Sequence, residues 1–415
     1  MSGCGIGRSW SVYRDKIVSA QSSSNSQEDI AAKTLALERY RAITTGLYES
    51  VQNVFLLLIL VRWFNGGSFD KSIVASAPQM GLLFAPAVIF LTRVSRATVA
   101  QGAAFLFGCA AVSMVVASVV QSGFLFATSA TLAVVLCAAT TPLFTTIYTL
   151  NYSATTRGRD FARSNIIRVG SSILFASAAG WFLSGNIERY PYLLGIVAAA
   201  MAGAAFFSSR LPVKVGISES RSIFSCFRYL KTDEVLRGTT IAWMFLGFAF
   251  LMMVPLRVEY LAHERYGLKL SEGEVAFILS VVPNLSRLLS NPFWGRVFDR
   301  VDFFTLRIIL NVTFLIGMLG FFATDSWPLL IISAAIFGIG TSGGDLAWNL
   351  WVTKFAPADR VSDYMAVHVF FTGIRGVLAP PVGFLLARYL SLQQMSFLSA
   401  GMMVVSIFLI SRMKR

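Results

Sequence analysis

The chain predicts an all-α integral membrane fold: twelve transmembrane helices in two pseudo-symmetric six-helix bundles, with both termini cytoplasmic. Three observations carry the prediction. Of 415 residues, 55% are hydrophobic and 13% charged, with a mean hydropathy of +0.66, more apolar surface than one water-facing globule can hide. Apolar stretches of about 20 residues, the length that crosses a bilayer as a helix, recur along the chain. The basic residues are placed as topology signals, with about 25 of the 35 Lys and Arg in tails and loops on one side and about seven on the other. The positive-inside rule puts the richer side in the cytoplasm. That scatter also argues against a nucleic-acid partner despite a net charge of +14, because no single face gathers the charge.

Residues 1–41 are polar, Ser-rich from Gln21 to Ser26, and helix-prone from Glu28. They lack the apolar core of a signal peptide and are expected to form a cytoplasmic tail. The spacing then predicts spans over 42–64, 72–92, 98–120, 124–148, 162–184 and 191–208, and over 238–258, 273–291, 306–323, 328–352, 363–386 and 393–411. The bundles are thus 42–208 and 238–411, joined by a basic cytoplasmic loop, 209–237, and followed by a tail, 412–415. Duplication shows faintly. Pro78-Gln79, Pro86 and Arg93 of helix 2 are echoed by Pro283-Asn284, Pro292 and Arg296 of helix 8. Asp160-Phe161 and Asp363-Tyr364 likewise open helices 5 and 11 ahead of Arg168 and Arg375. The four cysteines have neither metal spacing nor an external pair, so free thiols and no metal or cofactor are expected.

A charge in the bilayer centre costs roughly 2.5 to 3.5 kcal/mol on insertion scales, so intramembrane charges mark a protein interior or a wet cavity. Here they are Glu49, Arg168, Arg287, Asp345, His368 and Arg375, on helices 1, 5, 8, 10 and 11. Helices 3, 6, 9 and 12 have none in their interiors and are expected to face lipid. Helical spacing puts Thr341, Asp345, Trp348 and Asn349 on one face, His368, Thr372 and Arg375 on a second, and Thr45, Glu49, Gln52 and Asn53 on a third. Substrate contacts are expected from Arg375, Trp348, Asn349, Gln52, Asn53 and Arg168, and proton coupling from Asp345, Glu49 and His368. Blander readings stand beside these. Arg168 and Arg287 are near enough to the boundary to snorkel or to pair across an inner gate, Glu49 can serve a buried ion pair, His368 can simply pack, and Asp345 and Arg375 can pair with each other. Pro380-Pro381 and Pro283 interrupt helices 11 and 8 and free carbonyls beside these charges, as gating hinges or static kinks.

At the helix 8–9 hairpin, Gly295-Arg296-Val297-Phe298-Asp299-Arg300 resembles the core Gly-x-x-x-Asp-Arg of the loop signature of the major facilitator superfamily. The six-plus-six plan, the basic central loop and the Gly376 to Gly383 pattern are similar to that superfamily too. The resemblance implies that Gly295 permits tight helix approach and that Asp299 and Arg300 join a charge network that holds an outward-open state. The usual Gly-Arg-Arg continuation is replaced by Asp302-Phe303-Phe304, the first-half loop from Thr92 to Ala97 lacks the Gly and Asp, helix 4 lacks the arginine of many proton-coupled members, and helix 5 lacks the Gly-Pro pair of antiporters. No subfamily is assigned.

The expected function is secondary active transport of a small anionic or zwitterionic solute by alternating access, with a proton as candidate coupling ion. No nucleotide-binding loop or enzymatic motif appears. A monomer in the bacterial inner membrane is expected, in contact with lipid and a small-molecule solute. Two other classes stand beside this: a transporter-like receptor or scaffold using the tail or central loop, and a flippase for lipids or amphiphiles.

Overall fold

The computed structural model describes residues 6–153, 157–213, 227–355 and 361–413. The helices among them group into twelve segments, with no strand among the described residues. In the first half, α1 (Ile6–Ser50) continues through a π-helical turn, Val51–Phe55, into Leu56–Arg62. It is followed by α2 (Ser68–Leu83, bent by 54° into a second segment ending at Val94), α3 (Val99–Val119), α4 (Gly123–Ala139 and Thr141–Asn151), α5 (Arg157–Leu183) and α6 (Tyr190–Ser209). The second half holds α7 (Glu234–Ala262), α8 (Glu272–Ala276, a π-helical turn Phe277–Val281, then Val282–Arg300), α9 (Phe303–Phe322), α10 (Trp327–Leu350), α11 (Val361–Leu386) and α12 (Leu392–Met413).

Ten of these crossings are long and apolar enough to span a membrane as single helices, and α2 qualifies only as its bent pair. α8 does not qualify, because Asn284, Arg287, Asn291 and the Gly295–Arg300 stretch interrupt its apolar face. One side of it is nonetheless apolar and exposed, at Leu285, Leu289 and Phe293. The sequence places a tail before residue 42, whereas α1 is already helical at Ile6.

The packing repeats with an offset of six helices. α1 packs on α5 and α6, as α7 does on α11 and α12; α2 on α4 as α8 on α10; and α3 on α4 and α6 as α9 on α10 and α12. The two principal contacts between halves, α2 with α11 and α5 with α8, obey the same rule. Small residues set several of these approaches, since no side chain separates the backbones. A Cβ on Gly46 of α1 would stand 2.3 Å from the Arg168 carbonyl of α5, and one on Gly338 of α10 would stand 2.3 Å from the Pro283 carbonyl of α8. α1 meets the end of α6 where Tyr40 stacks on Phe207, and α12 ends beside the start of α7, Met413 lying against Gly238. We call this the terminal face. Outward-pointing Phe105 on α3, Tyr192 on α6, Ile316 on α9 and Phe397 on α12 give these helices an apolar exterior, but Leu174 and Trp181 of α5 are exposed as well. Nor is α9 free of interior charge, because Arg307, one turn from its start, is 4% exposed.

Candidate functional site

The two π-helical turns meet between the halves. Such turns widen a helix and are common at functional sites. Here they turn Asn53 of α1 and Ser280 of α8 toward a cavity of about 190 Å³, which α7 and α10 complete with Phe250, Arg257, Phe337 and Thr341. Asn284 and Arg287 add polar groups, and no carboxylate among the described residues lines it.

Arg257 is the distinctive member. It is 7% exposed, its guanidinium lies 3.7 Å from the centroid of the Phe337 ring, and Phe337 stacks on Phe250 at 5.2 Å. Its Nη1 has no hydrogen-bond partner, and its Nε reaches only the Val254 carbonyl at 3.5 Å. Stacking on a ring contributes about 2 kcal/mol when a cation is desolvated, and it fixes the guanidinium without satisfying its donors. Arg257 therefore stands ready for an acceptor that the protein does not supply.

Below the cavity, toward the terminal face, four charges alternate. Arg168 Nη1 donates to Glu49 Oε2 at 2.7 Å, joining α5 to α1, and Arg287 pairs with Asp345 at 2.5 Å, joining α8 to α10. Asn165 orients Arg168 through its Oδ1, and Arg168 also feels the charge of Asp345. Asp345 is thus engaged by Arg287 and not by Arg375, the other partner open to it in the sequence. Its side chain remains 44% exposed.

Arg375 lies elsewhere. It is 7% exposed, donates from Nη1 to the Trp243 carbonyl at 2.5 Å and from Nη2 to Thr372 Oγ1 at 3.1 Å. It fills the space left by Gly247, where a Cβ would come within 2.2 Å of its Nε. His368, 2% exposed, packs edge-on against Trp243 at 4.3 Å and lies 5.4 Å from Trp348. These three therefore belong to the α7–α10–α11 interior and do not line the cavity. Asn53 lines it, Gln52 sits beside it on the same turn, and the side chain of Asn349 lies outside those described. Pro380 and Pro381 lie inside α11, which stays helical through them. Nothing comes within 4 Å of a Cβ built on Gly295, so the tight approach expected there is not made, and Asp299 and Arg300 are exposed with no ion pair among the described residues.

The opposite face is tied shut. Arg62, at the end of α1, pairs with Glu272 at 2.5 Å and donates to the Ala262 and Leu270 carbonyls. Glu272 also accepts from Gly185 N–H at 3.0 Å, and Gly273 N–H donates to Ser184 Oγ at 3.0 Å. Lys71 of α2 and Glu259 of α7 form a buried pair at 2.8 Å, which Arg265 joins at 3.3 Å. Sequence reading missed this network because its spans stop just short of it: Glu259 falls one residue past helix 7, and Lys71 and Glu272 one residue before helices 2 and 8, while Arg257, in the last turn of the helix 7 span, was not counted among the intramembrane charges. α7 runs to Ala262, and Pro255 does not stop it.

Residues 260–414 match the family model described as Major Facilitator Superfamily. No curated protein sequence matches the chain. Among solved structures, a mutant of the nucleoside transporter NupG superposes with a TM-score of 0.76 at 15% identity, covering 92% of this chain and 100% of that one. A D-xylose-proton symporter gives 0.70 at 12%, covering 91% and 96%. The human organic anion transporter TETRAN gives 0.66 at 13%, covering 92% and 99%. The chain shares the fold of these transporters over nearly its whole length.

Proposed function

We propose that the protein is a secondary transporter that moves a small organic anion by alternating access, its halves rocking about the cavity at the two π turns. The observation that carries this is Arg257, a buried, ring-stacked guanidinium with free donors on a cavity that has no carboxylate. The volume of about 190 Å³ lies below the roughly 300 Å³ at which drug-sized pockets begin, which favours a compact solute. Asn53, Ser280, Asn284 and Thr341 offer neutral hydrogen bonds to the rest of it.

In this reading Asp345 is the proton-responsive group, with Glu49 its counterpart across the halves. Protonating Asp345 would release Arg287, which itself lines the cavity, so proton and anion binding meet on one side chain. Arg168 pairs with Glu49, and Arg375, Trp348 and His368 support the second half. The terminal face is the cytoplasmic one, in keeping with its basic loops, and the tied opposite face makes this an inward-facing state. Gly295, Asp299 and Arg300 would then engage only when the terminal face closes.

Uptake by proteoliposomes of labelled small carboxylates, with neutral sugars and nucleosides as comparison, tests the reading. A saturable carboxylate flux that Arg257→Gln weakens is expected. A neutral solute carried equally well by wild type and Arg257→Gln refutes it.

A further inference from the structure

A second group of cations lies in the α7–α9–α11 interior, away from the cavity. Arg307 is 4% and Arg375 7% exposed, and each repels the other's charge across the space around Trp243. Arg307 sits over the Trp243 ring at 4.5 Å, Arg375 holds the Trp243 carbonyl, and His368 and Trp351 pack on the same ring at 4.3 and 5.2 Å. Five buried polar atoms in this cluster have no partner: Arg307 Nε, Arg375 Nε, Trp243 Nε1, Trp351 Nε1 and His368 Nε2. Arg307 has one other polar contact, to Asn311 Oδ1 at 3.2 Å.

No carboxylate among the described residues balances these charges. Asp345 is held by Arg287, Asp233 accepts from the Tyr364 hydroxyl, and Asp302 caps α9 by accepting from Thr305 N–H. Buried guanidinium groups left without an anion are strongly destabilising, and unsatisfied indole and imidazole nitrogens add to the penalty. A bound anion removes both at once.

We propose that this cluster binds a small monovalent inorganic anion of halide size as a fixed component of the second half. It would neutralise Arg307 and Arg375 and accept from the free N–H groups around Trp243.

The test uses the purified full chain in detergent at constant ionic strength, with sodium chloride replacing sodium gluconate, because a ligand of the native state raises the unfolding temperature by mass action. Chloride and bromide are expected to raise it saturably by several degrees. Crystals grown in bromide are expected to show an anomalous peak between Arg307 and Arg375. Arg307→Gln should lose the halide shift yet unfold no lower than wild type in gluconate, since it removes an uncompensated charge; a packing role alone predicts a loss in both salts. Should Arg375→Gln fail to fold, Arg307→Gln and Arg307→Lys carry the comparison, the lysine variant keeping a weakened shift. Equal unfolding of wild type in both salts overturns the proposal, as does an undiminished shift in Arg307→Gln. An acetate shift as large as that of chloride overturns it too, since the cluster would then be taking the carboxylate of a cargo.

Discussion

Arg257 and Arg375 are both 7% exposed, and their partners, not their depth, separate them. Arg375 directs Nη1 and Nη2 to Trp243 and Thr372 inside the second half, whereas Arg257 keeps Nη1 free beside the cavity. A charge-assisted hydrogen bond contributes about 1.5 to 3 kcal/mol, and each 1.4 kcal/mol is tenfold in affinity. Arg257→Gln is therefore expected to raise the apparent KM for a carboxylate solute by roughly ten- to a hundredfold with little change in unfolding temperature, read from uptake and calorimetry on one preparation. Arg257→Lys should recover only part, because an ammonium does not stack on Phe337 as a planar guanidinium does. At the same scale, Asp345→Asn is expected to abolish the pH dependence of uptake while leaving solute binding at Arg257 intact; a preserved pH profile would remove Asp345 from the coupling role. Sequence reading picked out Asp345 and Glu49 from composition and spacing alone, since both break apolar runs. It preferred Arg375 because position along a helix approximates depth, but which way a guanidinium points depends on a glycine in another helix, here Gly247.

Elements were legible where their signal was local. Ten of the twelve helical segments, and α2 as a bent pair, announce themselves by length and hydropathy, and α8 was read as a span although its polar residues keep it below that standard. The π turns left no sequence signature. Each is a one-residue widening at the place where α1 and α8 meet. Helix separation was likewise hidden, because a glycine in an apolar run looks the same whether it meets a backbone or open space. Gly338 meets the Pro283 backbone, while Gly108 and Gly401 have nothing within 4 Å of a built Cβ. Overpacking of this kind costs typically 1 to 3 kcal/mol. Gly338→Ala is expected to lower the unfolding temperature by several degrees and to impair uptake by pushing α10 from α8, whereas Gly108→Ala and Gly401→Ala should be neutral. Equal effects at all three would mean that α8 and α10 shift apart without penalty.

At the scale of the whole molecule, two halves that repeat their packing are tied unequally. The hydrogen bonds and ion pairs on the face opposite the termini join α1, α2 and the α5–α6 turn to α7 and α8. On the terminal face the Glu38–Arg41–Tyr148 cluster stays within the first half and the Asp233–Tyr364 bond within the second. The alternating access proposed above requires that these ties break when the terminal face closes, so their strength would set the balance between the two states. Lys71 and Glu259 are 6% and 2% exposed. Removing one member of such a buried pair costs about 3 to 5 kcal/mol, whereas replacing both with apolar residues is often neutral. That cost falls only on the state in which the pair is buried, so Glu259→Gln should shift the population toward opening of this face, a few kcal/mol being enough to invert a two-state balance. Spin labels at Glu188→Cys and Asp325→Cys, in a background without the native cysteines, report the separation of the halves there. Wild type should give one short distance, Glu259→Gln a second and longer population, and Lys71→Met with Glu259→Met a return toward the short one. If Glu259→Gln keeps the single short distance, the Arg62–Glu272 bridge and the α5–α8 contacts hold the face without the Lys71 pair, and the gate must be sought there.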